Sequence, residues 1–530
     1  MGDQKQTGSY YTPEKLVEFM ICYLIKEQQD FSNVLEPSAG DGRFLSLLLP
    51  LSGHVDAVEI FEEKVSQMDA QYRTYNLEVK KDDFVKYSLE QEIKYSLIVG
   101  NPPYINIKTM EKTSVSSARE LCKEEGLEST IMQNMWLAFV IGACRMLRPG
   151  GTIFFVLPME FLQVQYAEKL REYLEKRFNT IHIISFQSFV FSDIEQEICL
   201  VYLTNKVQSL PYILYEVYED TESRMPLIAN TIKKNKPLRK WSNAILADGD
   251  ILLLKEKSRD YPKINDIGIT APGIVTGGNK YFILTTEQVD SYQCEQYVLP
   301  ILQKSSFVTD NTIKIDDEVF SSIKNKNKPV YLLNLSKVQE NNLPPPLATY
   351  LEWAGSQKIQ NIELKERYKC SKRKPWYGVP IVSKGDIIFF KRYDVLPRFY
   401  MNDVNIHTTD AGYHIRLYEQ YDKESVVFCF FNSMTLAQCE FNGRYYGGGV
   451  CELVPSEFKE IALPYRKIDP EDIELLVQMF NKKIPVNEVV KFVNSRTIDL
   501  DMDQKQIVCL ETIRRRLIGR RRDNKHALEQ

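Results

Sequence analysis

The tetrapeptide Asn101-Pro102-Pro103-Tyr104, set directly after the apolar run 95–100, constrains this chain more than any other feature. The run reads as a buried strand. Two prolines fix φ and remove backbone donors, so the turn ending the strand is stiff and has carbonyls aimed outward. Such a turn suits a planar amino group. The side-chain oxygen of Asn101 and the carbonyl of Pro102 can each accept one of its hydrogens, and Tyr104 offers a flat face for stacking. The lone pair of such an amine is delocalised into a π system. Drawing both hydrogens to acceptors moves the nitrogen towards tetrahedral geometry and frees that lone pair. Asn-Pro and Pro-Pro also mark ordinary turns, so the surrounding segments decide between the readings.

Upstream, residues 33–44 read as a short strand, a loop with Gly40 and Gly42, and a helix running on to Leu51. A strand, glycine loop and helix form the nucleotide-cofactor end of a doubly wound sheet. The third glycine of the dinucleotide fingerprint is absent, and Phe44 stands in its neighbourhood. Glu36 and Asp41 beside the loop would repel a pyrophosphate and suit a cationic ligand. Residues 56–60 read as a second strand closing on Glu59, about 20 residues past the loop, where an acid accepts hydrogen bonds from ribose hydroxyls. Asp83 then precedes Phe84, a carboxylate for an adenine amino group and a ring to pack on its face; Asp82 is the competing residue. Before all of these, Thr12 is expected to cap a helix with Pro13 at its first position and Glu14 in its first turn. Leu16, Val17, Met20, Tyr23 and Leu24 fall on one face of that helix.

Taken in this order, residues 9–205 resemble the amino-group DNA methyltransferases, specifically the adenine-N6 gamma class. The resemblance extends to a helix from Asn134 to Leu147 ended by Arg148-Pro149-Gly150-Gly151, and to a strand at 152–158. It also extends to a late hairpin at 189–202 whose aromatic stacks on a flipped base. That role falls to Phe191, with Phe186 and Phe189 close by. The resemblance implies S-adenosylmethionine as cofactor, with Thr12, Glu36, Ser38, Gly40, Glu59, Ile60, Asp83, Phe84, Asn101 and Pro103 around it. It implies Asn101, Pro102, Tyr104 and Phe191 as the catalytic set, acting on an adenine rotated out of duplex DNA. The expected setting is a restriction-modification system or an orphan modification enzyme. Enzymes that methylate a glutamine amide or a ribosomal guanine share the tetrapeptide but resemble the first half alone. Cytosine-N4 enzymes usually carry serine at the position of Asn101. A specificity subunit that retains the domain as a scaffold is the non-catalytic alternative.

The expected fold is α/β: a doubly wound, Rossmann-like domain with a mixed, mainly parallel sheet, then an α+β target-recognition domain ending in helices. A chain of 530 residues implies more than one domain, and the boundary is placed at 235/236, in a lysine-rich stretch. Net charge is −4, so any nucleic-acid contact rests on local basic patches. Beyond the boundary, short aromatic and β-branched runs read as largely β. Three stretches interleave bases with aromatics, and Lys374, Trp376, Arg392, Arg398, Arg444 and Tyr445 are the candidate DNA contacts. The arginines of 514–522, at the end of a last helix from about Asp503, read either as contacts to DNA backbone or, more simply, as a solvated tail. Ten scattered cysteines and five histidines predict a reducing compartment and no metal centre. The absence of a long apolar run predicts no membrane span. The expectation is a monomer of the bacterial cytoplasm, used at the nucleoid, whose restriction endonuclease, where one exists, is a separate chain.

Overall fold

Nine strands form the sheet that organises the first half of the chain, in a computed structural model that describes residues 12–188, 190, 197–205, 210–234, 237–308, 311–446 and 449–521. In chain order the strands are β1 (Val34–Glu36), β2 (Val55–Glu59), β3 (Leu77–Lys81), β4 (Tyr95–Gly100), β5 (Leu147–Pro158), β6 (Thr180–Phe186), β7 (Ile198–Thr204), β8 (Tyr212–Tyr218) and β9 (Ile228–Lys233). Their spatial order is β3-β2-β1-β4-β5-β7-β6-β8-β9. The pairings from β3 through β5 are parallel, and β7 runs antiparallel to both its neighbours. The expected mixed, mainly parallel sheet is therefore present. Strands β1, β2 and β4 are buried throughout, as expected for strands with both faces covered. Val34 pairs with Val55 on one side and Leu97 on the other, so Glu36, Glu59 and Gly100 end on the same edge. Order reverses between β1 and β4, which makes that edge a topological switch point.

Helix α1 (Glu14–Lys26) buries Leu16, Val17, Met20, Tyr23 and Leu24, the face expected from spacing. Its cap is different. Pro13 is the N-cap residue, and its carbonyl accepts from the Leu16 and Val17 N–H groups. Thr12 lies one residue outside, and its hydroxyl accepts from Asn101 instead. Helix α2 (Leu45–Leu48) is one turn, shorter than the reading to Leu51. Helices α3 (Glu62–Gln71), α4 (Phe84–Glu90), α5 (Lys112–Glu124), α6 (Met135–Met146) and α7 (Glu168–Arg177) complete the layers. The Asn134 side chain caps α6 as its position suggests. Strand β5 begins at once, at Leu147, with a register shift between Tyr95 and Leu97 where Pro149-Gly150-Gly151 pass the edge.

The chain divides into two compact units. The first holds residues up to Ile251 together with Arg444–Gly449 and Gly519–Asp523; the second holds Leu252–Gly443 and Val450–Ile518. Residues on both sides of the lysine-rich stretch pack within the first unit. Lys234 donates to the carbonyls of Glu175 and Phe178. Trp241 is fully buried and donates to Glu175 Oε1 at 2.6 Å.

In the second unit, strands at 268–272, 314–315, 387–390, 399–402 and 412–417 form one sheet, and strands at 283–284, 298–302, 331–333 and 407–408 another. The run read as largely β also holds the helices Lys423–Phe430 and Ser433–Asn442, while the helices expected at the end of the domain are present as Pro470–Asn481, Val486–Arg496 and Gln504–Gly519. Residues 423–430 carry valine and phenylalanine and look strand-like, but Asp422 caps them by accepting from Ser425 N–H at 2.9 Å. Phe430 stacks on Phe399 with centroids 3.9 Å apart. Tertiary burial and a local cap outweigh β propensity here. The arginine tail is corrected too, because Arg514, Arg520 and Arg521 are all buried.

Candidate active site

A cavity of about 430 Å³ opens at the switch-point edge of the sheet, within the range of roughly 300–1,000 Å³ typical of small-molecule sites. The loop after β1 supplies Pro37, Ser38 and Gly40; the end of β2 supplies Val58, Glu59, Ile60 and Phe61. The turn after β3 supplies Asp82, Asp83 and Phe84; the turn after β4 supplies Asn101 to Ile105. Ser38, Gly40, Glu59, Ile60, Asp83, Phe84, Asn101, Pro102, Pro103 and Tyr104 are thus brought together on one cavity. Glu36 and Thr12 stand just behind that wall. Phe191 lies outside the described residues.

Gly40 has φ +59°, and a Cβ there would meet nothing within 4 Å. The backbone therefore faces open space in a conformation that favours glycine. Glu59 ties this loop down. Its Oε2 accepts from Gly40 N–H at 2.8 Å, while Oε1 accepts from the Ile60 and Phe61 N–H groups, each at 3.0 Å. A carboxylate offers about four acceptor positions, so one remains for a ligand hydroxyl. Ile60 and Phe61 are more exposed than large apolar side chains usually are and form an apolar lip.

Asp83 also does two things. Its Oδ1 caps α4 by accepting from Val85 N–H at 2.9 Å, and its Oδ2 accepts from the Ser114 hydroxyl at 3.1 Å. Phe84 is buried with its ring 4.9 Å from Phe139. The Asn101 amide nitrogen donates to Thr12 at 3.2 Å, and the Asn101 carbonyl accepts from the Ser38 hydroxyl at 3.1 Å. These two contacts orient the turn from opposite sides. Tyr104 packs on the apolar core of the first unit. Burial, then Cys199 and Glu160, pushes its phenol well above the usual range, so it stays neutral.

Glu36 is fully buried, and among the described residues its Oε2 has no hydrogen-bond partner. Burial foremost, with Asp41 and Glu59 nearby, holds its carboxyl well above the ordinary carboxylate range. A buried acid in an acidic neighbourhood is a receptor for a cation.

Sequence reasoning passed over residues 105–124. They supply Thr109, Met110, Glu111 and Ser114 to the cavity, and α6 supplies Met135 and Phe139. The amphipathic pattern of α5, which buries Ala118, Leu121 and Cys122, was the available signal.

The proposed DNA contacts separate. Lys374 is exposed. Trp376 is half-buried, packed on Gly355 and Phe282. Arg373 and Arg367 are not outward-facing either: they donate to the carbonyls of Val275, Thr276 and Gly277 at 2.7–2.9 Å. Arg392 and Arg398 share a groove of about 830 Å³ with Lys483, Tyr393, Tyr400 and Phe480. Arg392 pairs with Glu452 at 3.0 Å. Tyr445 is corrected outright: its side chain is buried within the first unit, leaving no face for DNA. Arg444 belongs to that unit as well. The structure also gathers His54, Asp56 and Glu78, which the histidine spacing did not suggest. Lys80 Nζ already lies 2.7 Å from Glu78 and 3.9 Å from Asp56.

A doubly wound sheet with this strand order and a cavity walled by an acidic strand end and an Asn-Pro-Pro-Tyr turn defines a methyltransferase of the Rossmann-like class. Residues 44–191 match the family model of the Eco57I restriction-modification methylases, and residues 238–498 match that of the C-terminal domain of the Type II methyltransferase M.Eco57I. The chain belongs to this family. It is 22% identical over 515 residues to the Type II methyltransferase M.AccI of Acinetobacter calcoaceticus, covering 90% of this chain and 89% of that protein. The Type II methyltransferase M.HincII of Haemophilus influenzae is 26% identical over 201 residues, 36% of either chain. Among solved structures, the Type IIL restriction-modification enzyme MmeI in complex with DNA shares the fold, with a TM-score of 0.62 and 12% identity over 98% of this chain and 79% of that one.

Proposed function

We propose that this enzyme transfers a methyl group from S-adenosylmethionine to N6 of adenine in duplex DNA, at a short specific sequence. One observation carries the reading: the Asn101-to-Tyr104 turn walls the same cavity as Gly40, Glu59 and Asp83. An amine-holding turn and a nucleoside-holding edge therefore face one space. The likeness to M.AccI, a Type II methyltransferase, along nine-tenths of the chain supports DNA as the substrate over a glutamine amide or RNA.

The residues present fit the cofactor. Glu36 offers a buried acceptor for its ammonium, the last acceptor position of Glu59 a site for ribose, and Asp83 with Phe84 a site for adenine. When bound, S-adenosylmethionine supplies a methyl group activated by a sulfonium. The chain's own part is positioning and electrostatics. Asn101 and Pro102 accept the two hydrogens of the target amine, Tyr104 stacks on its base, and the Thr12 and Ser38 contacts hold the turn in place. Phe191 is assigned the opposite face of the base. The amine loses its proton after transfer, so no strong general base is required. In the second unit, the groove of Arg392, Arg398 and Lys483 is assigned to the DNA backbone, with Lys374 as a further phosphate contact.

The test is methyl transfer by wild type and Asn101→Ala from labelled cofactor to mixed duplex DNA, with nucleoside analysis of the product. Wild type is expected to place label in N6-methyladenine. The variant is expected to lose about 10²–10³ in rate, the usual cost of one preorganised polar contact, while binding cofactor nearly normally. Label in cytosine or in protein would overturn the substrate assignment. Near-normal turnover by the variant would overturn the role of Asn101.

A further inference from the structure

Tyr445, a buried aromatic of the first unit, is held through both its backbone and its side chain. Its N–H donates to Gln163 Oε1 at 3.1 Å, and Gln163 Nε2 donates back to its carbonyl at 2.5 Å. Its hydroxyl donates to Met159 Sδ at 3.3 Å and lies 3.4 Å from the Tyr215 hydroxyl. The guanidinium of Arg520 covers its ring at 4.9 Å, an electrostatically favourable arrangement that strengthens when water is excluded. Arg520 donates to the Ser242 carbonyl and to Asn243 Oδ1, each at 2.7 Å, and Arg521 donates to the Gly449 carbonyl. Arg520, Tyr445 and Gln163 are all buried.

What this assembly grips is the turn that leaves β5. Met159 and Gln163 bracket that turn, and Met159 N–H donates to the Glu197 carbonyl at 3.0 Å, joining it to the start of β7. Glu160 in the turn is held by the Tyr166 hydroxyl at 2.8 Å. Tyr104 packs against the core cluster that takes in Val156 of β5 and Ile198 of β7. Bonded groups therefore run from Arg520 through Tyr445 to Met159 and the start of β7, and the packed core of β5 and β7 carries them on to Tyr104. Tyr104 is one wall of the cavity; the walls carrying Gly40, Glu59 and Asp83 stand at the ends of β1, β2 and β3, away from that edge.

We propose that Arg520 and Tyr445 form a clasp that sets the β5–β7 edge against Tyr104, making Arg520 a positioning residue for the transfer step. The proposal rests on the functional reading above. It separates two properties: cofactor binding is independent of the clasp, and the fit of the target base is not.

The test uses the full-length protein carrying Arg520→Ala, Arg520→Lys or Tyr445→Phe. Single-turnover methylation, cofactor affinity and the fluorescence of 2-aminopurine at the target position are read together. Arg520→Ala is expected to slow transfer about tenfold to a hundredfold, as small misplacements at a reacting centre do. It should also change the 2-aminopurine signal. Cofactor affinity should stay within about twofold, as for distant, independent sites. Arg520→Lys, which keeps a cation over the ring, should recover a large part of the rate. A wild-type rate for Arg520→Ala, or loss of cofactor binding in step with loss of rate, would overturn the proposal. If Arg520→Ala fails to fold, Tyr445→Phe decides: slower transfer with unchanged cofactor affinity supports the clasp, and an unchanged rate removes it. Wild-type protein that methylates nothing would fail the functional reading itself, a separate outcome.

Discussion

Glu36 is a single residue whose hold on its proton is expected to change when a cationic ligand binds. Burial holds its carboxyl above the usual range, so the folded protein binds a proton there that the unfolded chain releases. Stability from this group is therefore full below the ordinary carboxylate pKa and is lost as pH rises through the raised value. Glu36→Gln keeps the shape and removes the titration. It is expected to raise the thermal midpoint of the ligand-free protein on the alkaline side of that raised value, where wild type bears the buried charge. A cationic ligand reverses the preference, because it pairs with the ionised form. Binding of S-adenosylmethionine should release a proton, and Glu36→Gln should bind it more weakly by about 1.5–3 kcal/mol, the worth of a charge-assisted hydrogen bond. Calorimetry in two buffers of different ionisation enthalpy measures both. Equal proton release by wild type and variant would assign the proton elsewhere. Glu59 differs in kind: its substitution would free the Gly40 loop as well as a ligand contact, so loss of binding in Glu59→Ala would not separate the two.

At the scale of elements, the loop 273–279 shows how far a local pattern could be read. The run of bases and aromatics around Lys374 and Trp376, far from this loop in sequence, marked a basic surface. The structure joins the two: Arg373 and Arg367 are spent on the loop's carbonyls, and burial lowers the Arg373 pKa. Arg373→Ala is expected to lower the thermal midpoint, since it leaves carbonyls of a glycine-containing loop unpaired. Lys374→Ala should leave the melt unchanged and reduce the slope of DNA binding against salt by about one unit. The reverse pattern would exchange their roles. The same distinction explains what was legible. The turn at 101–104, the Gly40 loop and the strand-end Glu59 were readable because their chemistry sits in contiguous residues at a strand terminus. Tyr445 was not, because an aromatic next to an arginine has the same local pattern whether it meets a base or fills a core. Its partners Gln163 and Arg520 are far away in sequence. Residues 105–124 escaped for a third reason: Thr109, Glu111 and Ser114, whose hydroxyl bonds Asp83, stand in no motif that marks them.

For the whole molecule, the unit boundary is itself testable. Residues 236–251 contain Trp241, fully buried against Glu175, so a fragment ending at 235 lacks part of its own core. Losing a buried tryptophan typically costs about 3–5 kcal/mol. A fragment of residues 1–251 should therefore melt clearly higher than one of residues 1–235, and equal midpoints would return the boundary to the lysine-rich stretch. Neither fragment contains Arg444–Gly449 or Gly519–Asp523, so both should melt below the first transition of the intact chain.

The chain crosses between units after Ile251, Gly443, Gly449 and Ile518. The second unit is thus interrupted by a return to the first and does not hang from a single hinge. A chimera made to acquire a new target sequence by exchanging everything after residue 251 would import a foreign Tyr445 and a foreign Arg520 into the resident catalytic unit. Compatible grafts would retain the native 444–449 and 519–521 and replace only the intervening spans. Among the described residues, such a graft has four seams to match.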